Sequence, residues 1–514
     1  MAGTRVKSPE RRAGPVSRPS PRRQLRLRLP GLVRREPLLF LLAGFAALNY
    51  ALYSVWEYNH FLSGYDLAAY DQAVWRYSNF ELPTVTIGFL APNEPPLNAW
   101  GDHFTPLDTT LAPLFWLWSD ARMLLIAQAA LVAAAVVPIY LFARDRVGRV
   151  GAYLLGASYL VFWGVSAAVA YDYHGLAFTP LLLALAILFA DRRQWAGFFV
   201  SIAPLLLVKE SMGVLVAFVG LWLLTGREVR RGLITVAIGV AWFALVIYVV
   251  IPAFAAGDTY THWNYDDFGE DAPSSLKTIL TNPTLPFTEL VDSSDKTRVL
   301  ALLFLPFLGL TFCSRLIVIC IPLVIQQFYL TESPFWGTEF HYWLTIAPVL
   351  AMGAADGFRN LTRLLGLGQE RSLAVAGAAV AGVILAVNLF LVAREKPVGS
   401  GYDIQVTGIP ALTLTRPDFS LSPTALDRAN QAAVDAIPDD ASTTTAYQLL
   451  PHLSHRPDIY LLGWPTTPAT DYVAFNASGF GWPDPETARS WIEEHRSLYR
   501  EIYREDDWII WKRR

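Results

Sequence analysis

An α-helical polytopic membrane protein of about eleven transmembrane helices, with a small C-terminal α/β domain on the outer side, is the fold class predicted by three features of this 514-residue sequence. Hydrophobic residues make up 53% and charged residues 17%, against about a quarter charged in soluble proteins. The apolar residues fall in long blocks, giving a mean hydropathy of +0.33. Arginines punctuate the short turns between blocks on one side only. A disordered or fibrous chain is excluded, and the length allows a large membrane domain and one small folded domain.

Residues 1–36 come first, with eleven Lys/Arg against Glu10 and Glu36, so this segment carries +9 and the remainder −12. Rich in Pro, Arg and Ser, it cannot bury a core and reads as a disordered cytoplasmic tail lying on anionic lipid. Nothing downstream resembles a nucleic-acid module, so no nucleic-acid partner is expected. The apolar run that follows is too long for a signal peptide and has no cleavage site.

The membrane domain is expected over 37–393. A hydrocarbon core of about 30 Å needs roughly 20 helical residues. Pro37–Trp56, Met123–Ala143, Val150–Tyr171, Gly232–Gly257 and Ser372–Ala393 qualify outright. Gly175–Ala190, Gln194–Val208, Ser211–Gly226, Val299–Ser314, Leu316–Thr331 and Tyr342–Ala355 are shorter. With all of them counted as spans and the basic tail inside, Arg144/Arg146/Arg149, Arg192/Arg193, Arg227/Arg230/Arg231, Arg315 and Arg359/Arg363/Arg371 all face the cytoplasm, as the positive-inside rule requires. The same topology puts all eight histidines outside, with the acid-rich loops 57–121, 172–174 and 258–297. Thr110–Trp118, too short to span, reads as an interfacial or re-entrant helix. Cys313 and Cys320 are expected to be reduced and structural, which leaves no disulfide scaffold.

Beyond Arg394 the composition changes. Helices are expected at Pro423–Ile437, with Ser422 as a cap, and at Glu486–Tyr499; strands are expected at Tyr472–Phe475 and Trp508–Trp511. Residues 394–514 therefore form the outer α/β domain.

Candidate chemistry gathers in the outer segments. In Gly64–Trp75, Asp66 is either a helix cap or functional. Asp71 shares an apolar stripe with Leu67, Tyr70, Val74 and Trp75, where a carboxylate is costly unless paired or functional. Gly101–Pro106 places Asp102 beside His103, either as divalent-cation or phosphate contacts or as a hydrogen-bonded turn. Asp172 and His174 lie in the turn Tyr171–Gly175. Lys209–Glu210 interrupts a mostly apolar stretch, where each charge costs roughly 2.5–3.5 kcal/mol; it is either an internal pair or a site where Lys209 neutralises a lipid phosphate. Thr331–Tyr342 adds Glu332, Glu339 and His341. Pro451–Pro457, with His452 and His455, reads as polar packing rather than a metal site. There is no P-loop, dinucleotide fingerprint, serine-hydrolase elbow or zincin motif.

These motifs, taken in order (Tyr65–Leu67 and Asp71–Trp75, Gly101–Pro106, Tyr171–His174, Lys209–Glu210, Pro451–Arg456), resemble the bacterial membrane family called domain of unknown function 2079, over about Tyr50 to Tyr472. The chain departs at Ser211, where the resemblance calls for an acidic residue. That family is similar to the GT-C glycosyltransferases, multi-pass enzymes that move a sugar from a polyprenyl-phosphate carrier to an outer-face acceptor. The resemblance implies a GT-C-like fold, a cell-membrane location and inverting hexosyl or pentosyl transfer to an envelope glycan or protein. It implies catalysis by Asp66 with Asp71, and substrate contacts from Asp102, His103, Asp172, His174, Lys209, Glu210 and His341. A divalent cation, Mg or Mn, would sit on Asp66, Asp102 and His103. The alternatives are a transporter or lipid flippase, disfavoured because the polar residues gather at one surface and no repeat is visible, and a non-catalytic envelope assembly protein.

Overall fold

The computed structural model describes residues 29–87, 97–255, 260, 262–367, 370–394, 398, 409–416, 419–464, 467–479 and 483–514. Most of the expected basic tail, residues 1–28, lies outside them; Leu29–Arg35 is a short helix ending on Arg34 and Arg35.

The apolar runs become helices. Pro37–Asn59, Arg122–Leu160, Val229–Phe254 and Ser372–Arg394 are each long and apolar enough to cross a membrane. Arg122–Leu160 is really a hairpin. Gly148, at φ +77°, turns the chain, so that Tyr140 packs on Tyr153 with ring centroids 4.6 Å apart and the Tyr159 hydroxyl donates to the Val132 carbonyl at 2.9 Å. Only glycine adopts that φ without strain. Gly175–Asp191, Trp195–Leu206, Met212–Thr225 and Ile317–Phe328 are shorter apolar helices. Two runs are broken where an unbroken span was expected. Val299–Ser314 stops at Phe304 and passes through left-handed Leu308 and Gly309 before a short turn at Leu310–Cys313. Val150–Tyr171 breaks after Leu160 and resumes at Trp163–Ala170. Cys313 is exposed and Cys320 buried, both as free thiols.

Small residues set the helix spacing, as they do where apolar solvent provides no hydrophobic drive. Met212–Thr225 and Val229–Leu245 cross at Gly213, Gly220, Gly232 and Gly239; a Cβ on Gly239 would lie 2.5 Å from the Ala217 nitrogen and the Gly213 oxygen. The arginine-bearing turns meet at one end of the bundle. Arg146 pairs with Asp191 at 2.7 Å and with Asp356 at 2.9 Å. Arg193 and Arg231 both reach Glu228, and Arg315 lies over Gly226.

At the other end, the first long loop carries the helix Tyr65–Ser78 and a two-stranded ribbon of β1 (Thr84–Val85) and β2 (Leu97–Asn98). Thr110–Trp118 is a 3₁₀ turn followed by Ala112–Phe115, with Trp116, Leu117 and Trp118 exposed. The tail builds a five-stranded sheet from β3 (Thr443–Thr445), β4 (Ile459–Leu461), β5 (Tyr472–Asn476), β6 (Tyr499–Glu505) and β7 (Trp508–Arg513), in the order β4-β3-β5-β7-β6. β3 runs parallel to β4 and β5, and the remaining pairings are antiparallel. The tail helix is Ala425–Asp435, and its cap is Thr424 rather than Ser422, because Asp427 at the third position returns the bond and closes a capping box. The later helix, Pro485–His495, ends earlier than expected because Tyr499 opens β6.

The sheet shares its core with the first loop: Ala68, Ala73 and Ile87 pack in one buried cluster with Leu450, Leu461 and Ile510. Gly64 lacks a Cβ because the Tyr447 ring of the tail lies directly against it. Leu38–Arg514 forms one compact unit accordingly.

Gly239→Val should separate the two glycine-spaced helices and cost about 1–3 kcal/mol, read as a lowered melting temperature in detergent. An unchanged melting temperature would contradict the close crossing.

Candidate active site

The site is organised around the helix Tyr65–Ser78. Its first residues contain no capping side chain, and Gly64 at the cap position has none to offer. The carboxylate of Asp172 fills the gap from the turn after Trp163–Ala170, accepting from the Gly64 nitrogen at 3.0 Å and the Leu67 nitrogen at 3.2 Å. Two orphan N–H groups are thereby satisfied from a distant segment. Asp66 is not the cap. It sits in the second helical position, where it accepts from the Tyr171 hydroxyl at 2.6 Å and lies 3.3 Å from His174 Nε2.

Asp66 opens on a cavity of about 160 Å³ that also exposes Tyr70, Asp102, His103, His174, Lys209 and His341. Burial pushes the Asp66 carboxyl up, but His174, Tyr171 and His103 together hold it below its ordinary value. His174 and His341 stack with ring centroids 3.4 Å apart. Burial, with His174, Lys209 and His103 nearby, keeps His341 well below the usual imidazole range.

The opposite wall is built from a helix break. Trp195–Leu206 and Met212–Thr225 leave Lys209–Glu210 in an open turn, and the freed carbonyls of Leu206 and Leu207 accept from the Trp242 indole at 2.9 Å and the Leu107 nitrogen at 3.0 Å. Glu210 is buried and accepts from Phe104 at 3.2 Å and Tyr260 at 3.3 Å, with His103 Nδ1 at 3.1 Å. Burial opposes its charge, yet His103 and Lys209 hold it at about 2. Lys209 makes no hydrogen bond or short ion pair among the described residues, so the close internal Lys–Glu pair is not what forms. Lys209 lines the 160 Å³ cavity and a second one of about 110 Å³, both of which His103 also lines.

Asp102 lies 2.5 Å from His262 Nε2, whose ring stacks on His103 at 4.2 Å. Despite burial, His103, His262 and Lys209 hold Asp102 well below the usual carboxylate range. One ligand atom from each of Asp102, His103 and His262 lies within 4.8 Å of the other two. Of the expected set Asp66, Asp102 and His103, the last two are grouped with His262, while Asp66 is engaged by His174 and Tyr171. Asp108, also unforeseen, is buried, accepts from the Tyr173 hydroxyl at 2.7 Å and is pushed up to about 6 by burial. Asp172 is likewise pushed up to about 6, by burial and then by Asp66.

Asp71 does not join the cavity. Five residues beyond Asp66, it is rotated by about 140° around the helix, and it is fully buried against the tail. There it accepts from the Ser454 hydroxyl at 2.5 Å and pairs with His455 Nε2 at 2.8 Å. Gln72 donates to the Arg456 carbonyl at 2.9 Å and Arg76 to that of Pro457 at 2.8 Å. His452 is packing, its ring held between Tyr58 and Phe61 at 4.1 and 4.0 Å.

Residues 57–510 match the family described as "Predicted membrane protein (DUF2079)". No curated protein matches the chain. Among solved structures, ArnT from Cupriavidus metallidurans bound to undecaprenyl phosphate has 11% identity and a TM-score of 0.51, covering 93% of this chain and 98% of that one. At this identity the likeness is one of fold alone. The oligosaccharyltransferase of Archaeoglobus fulgidus in its apo form has 14% identity and a TM-score of 0.43, covering 92% and 80%.

Asp71→Ala should loosen the helix Tyr65–Ser78, since breaking a buried pair costs about 3–5 kcal/mol; hydrogen exchange over 65–78 would rise. Asp71 outweighs burial and raises His455 above its ordinary value. The pair is therefore at full strength below about pH 6.5 and weakens as pH climbs through the raised value. The melting-temperature gap between wild type and His455→Gln should accordingly be larger at pH 6 than at pH 9; a gap that widened with pH would reverse this reading.

Proposed function

The chain belongs to the DUF2079 family of predicted membrane proteins, and from that premise we propose that it is a GT-C-type glycosyltransferase moving a sugar from a polyprenyl-phosphate donor to an extracytoplasmic acceptor. The observation that carries this reading is the convergence of Asp66, Asp102, His103, His174, Lys209 and His341 on one cavity. The bound undecaprenyl phosphate belongs to the ArnT structure; its chemistry suits Lys209 here.

The orientation follows from charge. The turns bearing Arg146, Arg193, Arg231 and Arg315 share one end of the bundle, which we place in the cytoplasm with the N-terminus. The site, the loop 57–121 and residues 394–514 are then extracytoplasmic, with eleven spans over 37–393.

In this mechanism an acceptor hydroxyl gives its proton to Asp66 as its oxygen attacks the anomeric carbon. The bond from that carbon to the phosphate oxygen breaks with inversion, and the electron pair stays on the phosphate. Asp66 is held ionised by Tyr171 and His174, so it is a ready but weak base, and proton transfer accompanies bond formation. Lys209 neutralises the leaving phosphate. Asp172 positions Asp66 by capping its helix, and Glu210 positions His103.

Asp102, His103 and His262 suit a divalent cation. They offer one carboxylate and two imidazoles whose ligand atoms lie within 4.8 Å of one another, and two imidazoles suit a transition-metal ion better than Mg. When bound, such an ion adds positive charge beside the leaving phosphate. The sugar transferred is a hexose or pentose, and the acceptor is an envelope glycan or protein.

Asp66→Asn should lower transfer in proteoliposomes by about 10²–10⁴-fold with an unchanged melting temperature; wild-type rates would end the catalytic assignment. Mn²⁺ should raise the melting temperature of the wild type but not of His262→Ala, and equal shifts in both proteins would remove His262 from the cation site.

A further inference from the structure

A larger cavity, about 450 Å³, lies apart from the reaction cavity, where the end of the first long helix, the Asp120–Arg122 turn and the tail helix Ala425–Asp435 meet. Its polar wall is Asn59, Asp120, Arg122, Asp427, Arg428 and Gln431. We propose that this cavity binds a neutral saccharide, the distal part of the acceptor.

Charge decides the ligand class. The wall holds two carboxylates and two guanidinium groups, so an anion meets Asp120 and Asp427 and a cation meets Arg122 and Arg428. The two signs are present in equal number, and most of these groups already have partners: Arg428 donates to the Pro423 carbonyl at 2.9 Å. Arg122 forks onto Asp120 at 2.8 and 2.6 Å and reaches Asn59 Oδ1 at 3.3 Å, while Asp427 accepts from the Thr424 nitrogen at 2.6 Å and lies 3.6 Å from His60. Paired groups of this kind keep spare lone pairs and N–H donors, and hydroxyls, which both donate and accept, complement them without adding charge. Leu421, Pro423 and Val434 supply apolar contacts for the C–H faces of a sugar ring.

Size points the same way. A cavity of about 450 Å³ falls within the range of roughly 300–1,000 Å³ typical of ligand pockets, whereas the reaction cavity of about 160 Å³ has room for little beyond the reacting unit. An acceptor glycan that places one unit at Asp66 must continue elsewhere, and this cavity offers it matched polar groups on the first loop and the tail. As an acceptor subsite the cavity rests on the transferase reading; as a saccharide site it does not.

The test uses the full-length protein in nanodiscs and saturation-transfer NMR. The probes are neutral mannose, galactose and arabinose trisaccharides, with a galacturonate trisaccharide and inorganic phosphate as anionic controls. At least one neutral trisaccharide should bind saturably, and Gln431→Trp, which fills the cavity from an exposed helix position, should weaken it by about tenfold or more. Arg428→Ala should weaken the same signal, so the outcome does not rest on one variant. Asp66→Asn should leave binding intact, which separates this inference from the transfer reaction. Binding without any transfer would sink only the enzymatic reading. The saccharide site is overturned if no neutral trisaccharide saturates, if the signal survives both Gln431→Trp and Arg428→Ala, or if the anions compete equally.

Discussion

A carboxylate with no access to water, that of Asp71, ties the tail of this protein to the helix that presents its chemistry. Its hydrogen bond from Ser454 and its ion pair with His455 lie beside a shared apolar core, so the charge is buried only because its partners come with it. The same helix is fixed at its start by Asp172. One carboxylate enters from the membrane bundle and the other reaches into the tail, and Asp66 is set between them. Its direction is therefore determined by three segments that are remote in sequence, each of which would have to move for the site to loosen.

Around Asp66, one small volume drives similar groups apart. Burial pushes Asp108 up to about 6 and, with the Asp66 charge added, does the same to Asp172, while Asp66, Asp102 and Glu210 stay ionised because histidines and, for the latter two, Lys209 lie against them. Carboxylates whose environments diverge in this way divide their roles. Those held charged face the cavity or orient the groups that do. Those pushed up are structural, at a helix start and beneath Tyr173. The four histidines split likewise: His103 and His262 lean toward carboxylates on one wall, and His174 shares its stack with a neutral His341 on the other.

Much of the architecture was legible in the sequence because apolar length and arginine placement are local signals. The hairpin turn between Ala143 and Val150, the arginine-bearing turns that gather at one end, and the ordered motifs around Asp66, Asp102, His103 and His174 all read directly from spacing. What escaped depended on contacts across the fold. Asp66 resembled a cap because the cap at Gly64 comes from Asp172, 108 positions away. Asp71 resembled a second catalytic acid because its true partners, Ser454 and His455, lie in the tail. His262 was visible only as one more outer histidine, and nothing local tied it to Asp102. Asp108 stood in an ordinary turn sequence, three residues after Thr105. The breaks at Leu308–Gly309 and after Leu160 were hidden inside runs whose hydropathy is uniform.

The 383-residue separation between Asp71 and Ser454 also orders biosynthesis. The first loop leaves the ribosome long before the segment that completes it, so during synthesis Asp71 stays hydrated and the face of its helix that will join the core has no cover. Asp71 acquires its partners only when Ser454 and His455 have been made. A chain truncated before Ser454 would thus leave Asp71 and the apolar face of its helix without the partners that cover them.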